Sequence, residues 1–512
     1  MRLMLSALLL FILNGCAMLP DNAGRQATHA MAPVEDSPFY RLWLSAPGHD
    51  RKQSGFLLLD NGLDAFAARI ALIRQARCSI DMQYYLIHDD HAGMAMMRAL
   101  LAAADRGVRI RILVDDIDGG RRDSVLATLA RHPDIQVRVF NPFGRNTGRL
   151  WQYVTGLGRQ TRRAHNKSFT VDGIATIVGG RNIGDEYFER DPHLAFQDMD
   201  VLAIGPVAAE VSLSFDRYWN HRLSYPIRLL VERVPGQKAL HRLRAHLARE
   251  ADADYAARLR ASRFVTGLRK GTLKLRWARA EVFADSPDKL LRRTGDMRGT
   301  LIEALLPALA SVRRELIIVS PYFVPGKAGL AFFRRLRARG VKVRVLTNSL
   351  ASTDVTIVHA GYARYRQALL RMGVELWELN RVLEGPRKGV RRGFARQSRF
   401  SLHAKLFVID RKTLFVGSLN LDPRSVVQNT EIGLLIHSPA LARQVAEAFD
   451  REVPQVAFRL QLAHDSTFQV PLLLWRGREN GHDAIWDSEP HAGLWRQLEV
   501  FLLMWLPIES QI

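Results

Sequence analysis

Between Ser79 and Tyr85 apolar and polar residues alternate and close on two aromatics, the period of a half-buried strand. A helical pattern follows from about Gly93 to Asp105, and the next run, Arg106 to Val114, returns to strand-like alternation. The same succession recurs far along the chain. Leu316 to Phe323 predicts a strand ending in aromatics, about Lys327 to Ala338 a helix, and Arg339 to Leu346 a second strand opening on the same Arg-Gly pair. Strands alternating with helices argue an α/β layer architecture, and a repeat of this length is a duplicated domain.

A second signal rides on the repeat. The pattern His-x-Lys-x4-Asp-x6-Gly-(Gly/Ser)-x-Asn occurs as His165, Lys167, Asp172, Gly179, Gly180, Asn182 and again as His403, Lys405, Asp410, Gly417, Ser418, Asn420. The segment from Arg106 to His165 is nearly as long as that from Arg339 to His403, so the halves keep register. Side chains at i and i+2 of a strand share a face, so each His projects with its Lys. Asp172-Gly173 and Asp410-Arg411 read as hairpin turns, after which the returning strand carries Asn182 or Asn420 back toward the His-Lys pair. For the two aspartates a backbone role and a chemical role are both open.

These residue types suit displacement at a phosphodiester. Paired lysines and asparagine amides offset the charge that spreads over the phosphoryl oxygens, and Ser418 is expected to add a hydroxyl. One neutral imidazole attacks phosphorus to form a phosphohistidine; the other, protonated, gives its proton to the leaving alcohol. Neither metal nor cofactor is expected. Each imidazole needs its second nitrogen held. Glu431, opening the run Ile432 to Ile436, is the expected partner of His403, and Asp198 that of His165, although Asp200 shares its face.

The chain ends and composition add the setting. Leu3 to Leu13 is almost wholly apolar, too short to span a bilayer, and closes on Leu13-Asn14-Gly15-Cys16. This resembles a bacterial lipoprotein signal with Cys16 as the lipid attachment site, and Ala17 after it resembles outer-membrane sorting. Cys78 is the only other cysteine, so no intramolecular disulfide can form once Cys16 carries lipid, and a structural zinc site has no support. A net charge of +22 and 47% apolar residues describe a globular protein drawn to anionic partners. The basic runs Arg159 to Arg163 and Arg387 to Arg399 precede the two histidines and are read as guides for an anionic substrate. Ala17 to Ser37 reads as a tether, and the charged stretch from Pro226 to Lys270 as connecting helices. The tail from Ser466 carries Trp475, Trp486, Trp495 and Trp505, and its amphipathic end, Leu494 to Leu506, is read as a helix sealing the core, with membrane contact as the alternative.

The doubled His-Lys-Asp pattern resembles the phospholipase D superfamily, from about Phe39 to the C-terminus. Ser79 to Tyr85, Ala104 to Val108, His165 to Phe169, Gly179 to Phe188, Asp422 to Ser425 and Leu506 to Glu509 resemble, within it, the bacterial cardiolipin synthases of the C type. The resemblance implies two pseudo-twofold-related α/β sandwich domains sharing one active site in a monomer. It divides the chain into a signal peptide (1–15), a tether (16–37), a first domain (38–225), a helical connector (226–275), a second domain (276–465) and a C-terminal extension (466–512). It implies metal-independent phosphatidyl transfer to phosphatidylglycerol, with phosphatidylethanolamine as donor and His165 as the favoured nucleophile. A hydrolytic phospholipase D and an envelope nuclease are the alternatives. Phospholipids and a membrane surface reached through lipidated Cys16 are the expected partners, nucleic acid is not, and the periplasmic face of the outer membrane is the expected location.

Overall fold

The computed structural model describes residues 19–46, 48, 50–118, 120–145, 152, 161–188, 198–250, 252–293, 295–380, 401–464, 471–479 and 481–505. Cys16 with its apolar leader, the run Arg387 to Arg399 and the closing Leu506 to Glu509 lie outside the described residues.

Two large sheets form the body. The first contains β1 (Ser54–Leu59), β2 (Ser79–Tyr84), β3 (Arg109–Asp115), β4 (Ile135–Phe140), β5 (Ser168–Val171), β6 (Ala175–Gly179), β7 (Asp200–Ile204), β8 (Ser224–Pro226) and β9 (Arg276–Ala278). The second contains β10 (Ala280–Ala284), β11 (Glu315–Val319), β12 (Lys342–Asn348), β13 (Glu375–Leu379), β14 (Leu406–Ile409), β15 (Thr413–Gly417), β16 (Ile432–Ile436), β17 (Ala457–His464), β18 (Pro471–Glu479) and β19 (His482–Trp486). The order β4-β3-β2-β5-β6-β7-β1 in one sheet matches β13-β12-β11-β14-β15-β16-β10 in the other, strand for strand. The repeat read from the sequence is therefore a repeat of topology.

Period-2 alternation shows how the sheets meet. Val201 and Ala203 of β7 share a core with Leu406 and Val408 of β14, Leu414 and Val416 of β15, and Ile432 and Leu434 of β16. The intervening Leu202, Ile204, Phe407, Ile409, Phe415 and Leu435 point into the cores that each sheet makes with its own helices. Each sheet thus has one face in the core shared with the other lobe, where helices Val207–Trp219 and Pro439–Val456 also pack, and one face toward its remaining helices. The layers fix both hairpins at the junction.

Three details bear on the expected segmentation. Leu19 to Ser37 is no loose tether: Asn22 Nδ2 donates to Ser224 O at 2.8 Å, Ala30 N to Asp216 Oδ2 at 2.8 Å, and Asn220 Nδ2 to Thr28 O at 2.9 Å. Its polar groups satisfy the chain around the end of helix Val207–Trp219, which binds the segment to the first lobe. The first sheet also runs past residue 275, because Arg276–Ala278 pairs with β1 as an edge strand. Finally, the connector helices pack on the first lobe's core through Leu240, Leu247, Tyr255 and Phe264. Among the described residues no helix is long and apolar enough to cross a membrane.

Candidate active site

His165 and Lys167 lie in the extended segment entering β5, and His403 and Lys405 in the segment entering β14. β5 runs antiparallel to β2 and β14 antiparallel to β11, so both pairs sit at the carboxyl ends of the parallel strands. Open α/β sheets place their sites at this edge.

The carboxylates are exchanged between the halves. His165 Nδ1 meets Glu431 Oε2 at 2.9 Å and Oε1 at 3.0 Å, while His403 Nδ1 meets Asp198 Oδ2 at 2.6 Å. This corrects the expected pairing of Glu431 with His403 and of Asp198 with His165. The reason is a bridge across the lobes: Ala164 pairs with Thr430, His165 N donates to Thr430 O at 2.9 Å and Thr430 N to Arg163 O at 3.0 Å. Residue 165 is thereby laid against residue 431. Asp200, the rival to Asp198, instead forms a buried ion pair with Arg69 at 2.9 Å and lies 3.4 Å from Arg181.

With each Nδ1–H donated to a carboxylate, each Nε2 keeps its lone pair for chemistry. The side chains of His165 and His403 are 12% and 22% exposed, enough for a substrate to reach them, whereas their carboxylates are buried. Burial pushes the His165 imidazole down to about 4, against the opposing pull of Glu431. His403 is likewise lowered, by burial and then by Lys405. Burial also lowers Lys167 to about 7 and Lys405 to about 8. Both carboxylates stay ionised despite burial: His403, with Arg181 and Lys405, holds Asp198 at about 2, and His165 and Lys167 keep Glu431 below the usual range. Lys405 is felt at His165 and Lys167 at His403, so the two half-sites form one electrostatic unit.

Other expected residues divide between the site and its supports. Lys167 Nζ donates to His165 O at 2.7 Å and lies 5.4 Å from the Tyr85 ring; Lys405 Nζ donates to His403 O. Asn182 donates to the Tyr187 hydroxyl at 2.9 Å, and the buried side-chain oxygen of Asn420 has no hydrogen-bond partner among the described residues. Ser418 does not present its hydroxyl as a separate anion ligand. Its Oγ donates to Glu431 Oε2 at 2.5 Å and accepts from Ile432 N at 3.0 Å, so it braces the carboxylate behind His165. In the first half Gly180 occupies that position, and a Cβ there would come within 2.2 Å of Asp198 Oδ1. Asp198 takes the space a side chain would fill.

Asp172 and Asp410 stand apart from this group, and of the two roles open to them, backbone and catalytic, their contacts fit the backbone one. Both have φ of 53°, followed by Gly173 at 64° and Arg411 at 53°, the left-handed pair of a type I′ turn. Asp172 accepts from the backbone N–H groups of Arg77, Cys78 and Ser79. Asp410 accepts from those of Arg313, Arg314 and Glu315. Each aspartate lies five positions along extended chain from its motif lysine, about 16 Å. These carboxylates pin hairpins to strand starts.

Sequence reasoning missed several contributors. Tyr85 meets His165 edge-on at 4.9 Å between ring centroids, and Tyr187 meets His403 in the same way at 5.4 Å. Asp115 accepts from Ala164 N at 2.9 Å and from Arg163 at 3.2 Å, fixing the approach to His165. Asp285 accepts from Glu431 N at 2.8 Å and from Lys289 at 2.9 Å. The aromatic ends of the strands were a signal for Tyr85; the others carry no spacing that marks them.

Known proteins resemble this chain in both halves. The family model described as cardiolipin synthase, PLD-like domain, matches residues 70–219 and 305–453, one match per half. Cardiolipin synthase C of Escherichia coli (strain K12) is 41% identical over 460 residues, 89% of this chain and 96% of that protein. Cardiolipin synthase A of Pseudomonas entomophila (strain L48) is 29% identical over 401 residues, 78% of this chain and 68% of that one. The phosphatidylserine synthase of Haemophilus influenzae Rd KW20 is 16% identical and aligns with a TM-score of 0.53 over 79% of this chain and 87% of its own, a likeness of fold. With two matched halves, each carrying one His-Lys motif and lending one carboxylate to the other's imidazole, the chain belongs to the cardiolipin synthase, PLD-like domain family.

Proposed function

We propose that this protein is a phosphatidyltransferase that makes cardiolipin, and that His165 is its nucleophile. The observation that carries the mechanism is the crossed arrangement of two imidazoles on two buried carboxylates beside two buried lysines. Burial keeps His165 neutral, as a nucleophile must be. Asp198 stays ionised and stabilises a His403 imidazolium. The identity with Cardiolipin synthase C supports the choice of substrate.

In the first step His165 Nε2 bonds to phosphorus of the donor lipid and the bond to the headgroup oxygen breaks, with the His403 proton passing to that oxygen. Phosphatidylethanolamine releases ethanolamine. In the second step a glycerol hydroxyl of phosphatidylglycerol bonds to phosphorus, its proton passes to His403, and the bond to His165 breaks. Lys167, Lys405, Asn182 and Asn420 surround the phosphoryl oxygens; Glu431, braced by Ser418, and Asp198 orient the imidazoles. Lipidated Cys16 holds the chain on an envelope membrane facing the periplasm, a reading supported by the Leu-x-Gly-Cys ending of the leader.

Purified protein supplied with phosphatidylglycerol, with and without phosphatidylethanolamine, is expected to yield a two-phosphate lipid by mass spectrometry. His165→Ala and His403→Ala are each expected to cut it by several orders of magnitude, to a small residual rate. Phosphatidic acid as sole product would demote the protein to a hydrolase.

A further inference from the structure

The last described helix, Leu494–Leu503, is seated by one face only. Val500, Leu503 and Met504 pack against Leu350, Ala360 and Ala363. Arg496 donates to Thr353 O at 2.6 Å and Arg364 to Leu503 O at 3.0 Å, which clamps the helix to the second lobe. The opposite face is bare: Leu494, Trp495 and Trp505 are 83%, 85% and 78% exposed, and Leu498, Phe501 and Leu502 about half. At about 100° per residue these six side chains fill one arc of about 120°, with Glu499 at its border. Soluble proteins rarely leave such a stripe to water.

The place of the helix matters as much as its composition. The segment beneath it continues from β12, whose last residue Asn348 binds Leu402 twice, accepting from its N–H at 2.9 Å and donating to its carbonyl at 3.0 Å. Leu402 adjoins His403. Asp354, next to the clamped Thr353, accepts from Tyr322 at 2.8 Å, and its charge reaches Lys405. The bare stripe is therefore mounted on the rim of the catalytic group.

We propose that this helix is an interfacial wedge that inserts its Leu-Trp-Phe face into an anionic phospholipid bilayer and seats the active-site mouth on the lipid surface. The inference rests on the reading of phospholipid as substrate. Tryptophans at both ends of an otherwise aliphatic arc suit the headgroup boundary, where the ring is buried and the N–H stays wet. A net charge of +22 draws the chain to an anionic surface, complementing a stripe that itself carries no charge. An acyl chain is too apolar to leave the bilayer for a site in water, so a transferase for such lipids gains by bringing its mouth to them.

The test uses the full chain with Cys16→Ser, so that no acyl anchor holds it, compared with the same chain carrying Trp495→Ser, Phe501→Ser and Trp505→Ser. All three positions are exposed, so the fold should survive, and circular dichroism checks that it does. Co-sedimentation with phosphatidylglycerol vesicles is expected to weaken by about a hundredfold in the triple variant. Equal vesicle binding by both proteins overturns the proposal, as does a parent that self-associates through this face and ignores vesicles. Binding is read without turnover: vesicle binding that is lost in the variant while neither protein makes cardiolipin sinks the proposed function and leaves the wedge standing.

Discussion

Replacing Glu431 tests the crossed site most directly. Its carboxylate contacts His165 through both oxygens, at 2.9 and 3.0 Å, inside a buried pocket. The two oxygens share the single Nδ1–H, and a hydrogen bond to a charged group contributes about 1.5–3 kcal/mol, which is the cost in imidazole orientation and charge stabilisation of losing it. That predicts a fall in kcat of about 10–10²-fold for Glu431→Gln from the lost bond alone, and of up to about 10⁴-fold where the amide also holds the wrong tautomer. The informative measurement is a double-mutant cycle on cardiolipin formation. Groups that act as one unit are non-additive, so Glu431→Gln should add almost nothing to His165→Ala and nearly its full effect to His403→Ala. Asp198→Asn should show the reverse, silent beside His403→Ala and damaging beside His165→Ala. Coupling of Glu431 to His403 would refute the crossed arrangement, and with it the account of how the lobes share chemistry.

Two further outcomes follow from the geometry. Asp172→Ala and Asp410→Ala should each lower the midpoint of denaturant unfolding, by about 1–3 kcal/mol for a carboxylate that accepts three backbone N–H groups, while turnover per folded molecule is kept; a large loss of kcat with unchanged stability would return them to the chemistry. The folded pKa of His165, about 4 against an ordinary 6.5, means that between those values the unfolded chain binds a proton that the native site refuses. Stability should therefore fall as pH drops from about 6.5 to 4, and His165→Gln should flatten that slope in urea titrations followed by circular dichroism.

Much of this was legible in the chain because a strand declares itself by alternation and a duplicated site by repeated spacing. The β5–β6 and β14–β15 hairpins, their turns and the His-Lys pairs could be read residue by residue. The partner of each histidine could not. Sequence offsets place Glu431 in the half of His403 and Asp198 in that of His165, and nothing local reports that Ala164 bridges Thr430 across the junction. Ser418 and Gly180 share the same difficulty: equivalent by spacing, one braces a carboxylate and the other makes room for one. Long-range pairing decided all three.

The charge count of the crossed site explains why its two similar histidines can play different parts. With the site empty, Glu431 and Asp198 oppose Lys167 and Lys405, and both imidazoles are held below their ordinary pKa by burial. A phosphodiester brings one further negative charge into the group. That charge favours protonated lysines and raises the affinity of one imidazole for a proton. In the proposed reaction His403 is the recipient, with the ionised Asp198 at 2.6 Å free of any bracing hydroxyl among the described residues, whereas Glu431 is already shared with Ser418 at 2.5 Å. In the proposed reaction, substrate binding would thus convert a nearly symmetric pair of neutral imidazoles into one acid and one nucleophile. The asymmetry resides in the bracing hydroxyl at residue 418, which the first half replaces with the bare backbone of Gly180.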